Sequence, residues 1–88
     1  VTDARAIAER VLACPGVAGL SGGPFGTVAT YLPGERLTGV AVREHEVDIA
    51  IVARFGDPLP AVADEIRLLV GDLVDGRPVN VTIDDLDI

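Results

Sequence analysis

Eighty-eight residues, 49% hydrophobic and 24% charged, suit one small domain, are too few for two independent cores, and lie far from the composition of a disordered chain. Aromatics make up only 3%, so apart from Phe25, Tyr31 and Phe55 the chain offers no platform for stacking bases or sugars. Fourteen acidic residues against seven arginines and no lysine give a formal charge of −7, which excludes nucleic acid as the expected partner.

The chain starts with valine, which suggests a processed or trimmed N-terminus and leaves open whether an extension precedes it. Residues 2–13 then carry Ala4, Ile7, Ala8, Val11 and Leu12 at helical spacing, with Thr2 or Asp3 placed to cap the helix. Cys14-Pro15-Gly16 ends it. As the lone cysteine, Cys14 forms no internal disulfide and fits a reducing cytoplasm. Residues 17–20 are a short apolar segment predicted to run into the sheet, 21–26 (SGGPFG) a flexible loop, and 27–32 an edge strand stopped by Pro33-Gly34.

Residues 37–43 alternate as one strand, and Glu44-His45-Glu46 turns the chain into 47–54 as a hairpin. That second strand places Val47, Ile49, Ile51 and Ala53 on one side of its pleat. A Gly56-Asp57-Pro58 corner follows, with Asp57 predicted as the N-cap and Pro58 in the first helical turn. Leu59, Val62, Ala63, Ile66, Leu69, Val70, Leu73 and Val74 form the apolar stripe of a long helix, with Gly76 as its stop. Residues 79–83 alternate again, and Leu86 and Ile88 continue one residue out of phase, which predicts a bulge. A right-handed crossover makes this last strand parallel to 47–54 or to a neighbour.

The predicted architecture is α+β and two-layered, a single domain over 1–88, in the order α-β-β-β-α-β with the first strands uncertain. Both helices cover one face of a small mixed sheet, while Arg43, Asp48, Arg54, Asn80 and Thr82 occupy a solvated back.

The order of Leu37-Thr38-Gly39-Val40-Ala41-Val42, then Val47-Asp48-Ile49-Ala50-Ile51-Val52, then Phe55-Gly56-Asp57-Pro58-Leu59-Pro60, and finally Val79-Asn80-Val81-Thr82-Ile83 resembles the bacterial alkaline shock protein family. Ala6-Ile7-Ala8 and Gly16-Val17-Ala18-Gly19-Leu20 extend the similarity into the first half. The resemblance implies a cytoplasmic, non-enzymatic protein of the envelope stress response that self-associates. It also implies, for some members, retention at the membrane by a partner that spans it. It carries no site residues across.

No catalytic, cofactor-binding or metal-ligating residue is expected from the sequence. His45 lacks convergent ligands and reads as a solvated turn residue. Cys14 has no histidine beside it to activate it. The SGGPFG loop lacks the Lys-Ser/Thr and following helix of a phosphate loop. Asp84, Asp85 and Asp87 lack the glycine turn and closing glutamate of a calcium loop. The long helix has one cation against Asp64, Glu65 and Asp72, a poor match for anionic lipid, and no apolar run approaches the roughly 18–20 residues that span a bilayer.

What remains is surface. Ala50 and Val52 sit on the polar side of the strand between Asp48 and Arg54, either as an apolar contact site or under the 21–36 segment. The candidate partner surface is therefore Arg43, Asp48, Ala50, Val52, Arg54, Asn80 and Thr82, facing a second copy or a membrane-anchored protein. The alternative is a small-ligand-binding or enzyme-associated domain with residues 21–26 as a lid over an apolar pocket.

Overall fold

The central strand of the sheet holds the fold together. In the computed structural model, which describes residues 3–88, the elements are α1 (Ala4–Ala13), β1 (Val17–Leu20), β2 (Ala29–Leu32), β3 (Glu35–Thr38), β4 (Val40–Val42), β5 (Val47–Arg54), α2 (Leu59–Val70) and β6 (Val79–Asp87). One flank of β5 is taken by two short antiparallel strands in succession: β4 pairs Val40 with Ile49 and Val42 with Val47, and β1 pairs Leu20 with Ile51 and Val17 with Ala53. Its other flank carries β6, parallel along the whole length from Val47↔Val79 to Arg54↔Asp87. The sheet is thus three strand positions wide.

Val47, Ile49, Ile51 and Ala53 face one side and share a core with Ile7, Ala8 and Val11 of α1 and Val62, Ile66 and Val70 of α2. Both helices therefore lie on the same face, as the alternation and the helical stripes require. Asp3 caps α1, its carboxylate accepting from the Arg5 and Ala6 amides at 3.0 and 3.3 Å. Thr2, the other predicted cap, lies outside the described residues. The parallel β6 and its slip are also observed: Ile51 pairs with Ile83 but Val52 with Asp85, so Asp84 is the extra residue of a bulge.

Three features differ from the sequence expectation. Asp57 does not cap α2, because Pro58 takes the N-cap position with no side-chain bond, and Pro60 at the second helical position has no N–H to offer. The helix ends at Val70 although the apolar spacing runs on to Val74. Gly71 breaks the α ladder and the chain closes tighter turns, Leu73 N–H donating to Val70 O at 2.9 Å, while Val74 stays buried in the core.

The third difference is the predicted strand over 37–43, which is two strands. Gly39, at φ +96, bends the chain so that β3 pairs with β2 around Pro33-Gly34 while β4 joins β5. The order accordingly gains strands over the expected one. The β2–β3 hairpin is held to the sheet by Gly39 N–H donating to Val28 O (2.8 Å) and Thr30 Oγ1 donating to Val40 O (2.6 Å). An Arg5–Glu35 ion pair ties it to α1.

Candidate functional site

The back of the sheet, away from the helices, is where the sequence placed its partner surface, and the chain itself covers part of it. Ala41 and Ala50 point to the back, yet both are buried, and Ala50 has no exposed surface. The 21–26 loop lies down on this spot: a Cβ on Gly23 would stand 4.0 Å from Ala50 Cβ and 3.1 Å from Val28 Cγ2. Ala50 is therefore removed from the candidate surface. Alanine is small enough to let the loop settle on the strand, and that settling hides it. The loop rests on the sheet over Ala50.

Around that covered spot the remaining predicted residues divide into two groups. At the start of β5, Asp48 is half-buried and accepts from Arg43 Nε (2.6 Å) and Asn80 Nδ2 (2.9 Å); Asn80 also donates to Glu46 Oε2 at 3.2 Å. Arg77 Nη1 donates to Arg43 O at 2.9 Å and holds the hairpin end of this cluster. Glu46 and Arg77 were not singled out from the sequence; Glu46 had a signal, two residues before Asp48 and so on the same face. Farther along, Val52 is half-buried and Arg54 and Thr82 are exposed. Ser21 Oγ, from the far flank of β5, donates to the bulged Asp84 at 2.5 Å. Polar neighbours fix the first group, and the second is bare strand surface.

Partial burial pushes the Asp48 carboxyl up, but the Arg43 guanidinium and the Asn80 amide outweigh it and hold it below its ordinary value of 3.8. A carboxyl depressed in the folded state contributes stability at neutral pH, and that contribution is lost as pH falls from the ordinary value through the folded one. Asp48→Asn is therefore expected to lower stability near neutrality by at most about 1 kcal/mol. The deficit should shrink in acid, when parent and variant are both uncharged there; urea midpoints at neutral and acid pH read the difference.

The other candidates behave as their surroundings dictate. His45 is 89% exposed on the β4–β5 turn, 3.8 Å from Glu44. Cys14 is buried under α1, and burial, with the Glu65 and Asp57 carboxylates nearby, pushes its thiol pKa up, away from nucleophilic use. An open depression of about 160 Å³ lies between Pro15, Gly16, Asp57, Pro58, Ala61, Val62 and Glu65, on the helical side and apart from the 21–26 loop. Among the described residues no group of three His, Cys, Asp or Glu side chains is placed to hold a metal ion, and no helix is long and apolar enough to cross a membrane. Comparison with family models, curated proteins and solved structures finds no match for this chain.

Proposed function

We propose that this chain is a non-enzymatic adaptor that acts through protein contacts, linked to envelope stress and homeostasis as in the alkaline shock family it resembles. Its place would be the cytoplasm, at the inner face of the membrane through a partner that spans it, and self-association belongs to the same reading. The observation that carries the proposal is the unequal covering of the sheet's back. The hairpin and the 21–26 loop bury Ala41 and Ala50, while beside them Val52 is only half-buried and Arg54 and Thr82 are exposed, next to a fixed Arg43–Asp48–Asn80 cluster. An apolar residue rimmed by held polar groups is a common composition for a small contact surface.

Affinity capture from the native host with the parent chain and with Val52→Arg tests it. The expected result is a membrane-spanning protein captured by the parent and lost with the variant, whose circular dichroism stays native. Identical capture by both, or a metabolite that raises the melting temperature by filling a pocket, would overturn the adaptor reading.

A further inference from the structure

The sheet is one strand short of what its helices can cover. Two packed helices with axes 8–10 Å apart span about four strand positions at roughly 4.8 Å each, whereas this sheet fills three. The unfilled position lies beyond β6, where Val79, Val81 and Ile83 point to the helical side and are only half-buried.

The hydrogen-bond alternation says which peptide groups face that position. Val47 N–H donates to Pro78 O and Phe55 N–H to Asp87 O, so the odd residues of β5 bond to β6. Ala50 N–H donates to Gly39 O and Arg54 N–H to Gly16 O, so its even residues bond to the opposite flank. In a parallel ladder with this phase, Asn80 and Thr82 bond inward, and Val79, Val81 and Ile83 turn both N–H and C=O outward.

Two side chains of the chain itself reach the ends of the outward row: Arg67 Nε donates to Val79 O at 3.0 Å, and Leu86 N–H is taken by Asp85 Oδ1 at 2.8 Å. Between these two caps lie the groups of Val81 and Ile83. No strand of the described residues pairs with them.

We propose that this edge of β6 is a strand-addition site for an extended basic segment of a partner protein. Main-chain bonds form at Val81 and Ile83, and alternate apolar side chains of the segment extend the half-buried Val79–Val81–Ile83 row beneath the flank of α2. Its lysines or arginines meet the end of β6, where Asp85 and Asp87 are exposed beside the edge, Asp84 being engaged by Ser21 from across β5, in a chain of charge −7. A second β6 is the poorer occupant, because its own α2 would have to share the space that one added strand fits. The proposal names a partner class for the adaptor reading and rests on it.

The probe is a synthetic peptide of alternating lysine and valine, compared with one of alternating glutamate and valine, each titrated into the full chain. The lysine peptide is expected to bind, to slow hydrogen exchange at the Val81 and Ile83 amides at least tenfold, and to weaken as salt is added. The glutamate peptide should do none of these. Val81→Pro deletes an outward N–H that β5 does not use and is expected to abolish binding in a folded chain. Asp87→Lys, at an exposed side chain, is expected to weaken binding several-fold and covers the case in which the proline variant fails to fold.

Absence of protection at Val81 and Ile83, or binding indifferent to Asp87→Lys, overturns strand addition by a basic segment. If the peptide fails while capture stays sensitive to Val52→Arg, strand addition falls alone. If both fail, the adaptor reading falls with it.

Discussion

Gly39→Ala is expected to cost about 3 kcal/mol or more, from strain at a positive φ added to overpacking. A Cβ at this position would stand 2.6 Å from Leu20 Cβ, 3.1 Å from Leu20 Cδ2 and 3.2 Å from Ala50 O, and φ is +96. None of these neighbours can move cheaply. Leu20 ends β1 opposite Ile51, and the Ala50 carbonyl is bonded to the Ser21 amide at 2.9 Å. For a domain of this size such a loss lowers the melting temperature on the order of 15 °C. Gly26→Ala is the control, because Gly26 also has positive φ (+67) but nothing within 4 Å of its Cβ position. It should lose only about 1 kcal/mol from backbone strain. Thermal and urea unfolding of the pair separate strain from crowding, and equal losses would show that the contact between β1 and Gly39 is loose.

Ala50→Arg is expected to destabilise by about 3–5 kcal/mol, the range for a buried charge without a partner. A sequence reading that puts Ala50 on an open surface predicts a folded chain with weaker assembly. The structure predicts loss of the fold, or lifting of residues 22–28 from the sheet, because Ala50 is fully buried beneath Gly23. Val52→Arg, at a half-buried position two residues along the same face, should stay within about 1 kcal/mol of the parent. The bond from Val28 N–H to Gly22 O (3.0 Å) reports on the loop: hydrogen exchange at Val28 should accelerate in Ala50→Arg and stay unchanged in Val52→Arg. Equal stability of the two variants would contradict the covering of Ala50.

The legible parts of the fold were those in which local pattern and tertiary burial ask for the same thing. The alternation of Val47, Ile49, Ile51 and Ala53, the helical stripes, the 44–46 turn and the phase slip after Ile83 each correspond to an observed element. Two of the failures arise where backbone hydrogen bonding changes inside an apolar segment, which periodicity does not see; the third is Pro58 taking the cap position from Asp57. Val40 and Val42 alternate in one phase and Leu37 stands in the other, and Gly39 between them hands the chain from β2 to β5. Likewise the stripe from Ile66 to Val74 remains one apolar surface after the hydrogen bonding has changed at Gly71.

At the candidate site the polar cluster was visible as residue types, since Arg43, Asp48 and Asn80 share a face by period-two spacing. The covering of Ala50 by the 21–36 segment is one of the two alternatives the sequence leaves open; the choice between them depends on where a glycine-rich loop comes to rest, and such a loop carries no periodic signal. Strand pairing likewise decides which edge remains vacant, and a one-dimensional pattern cannot show that.

The division of one flank of β5 between β1 and β4 has a consequence for how the molecule breathes. Ala50 is the residue shared by the two, its N–H donating to Gly39 O and its C=O accepting from the Ser21 amide. Each short strand guards its own half of that border, and the close approach of Leu20 to Gly39 beside Ala50 is the point at which opening of one is felt by the other. Fraying at the amino-terminal end can then begin in β1 without reaching the β4–β5 turn.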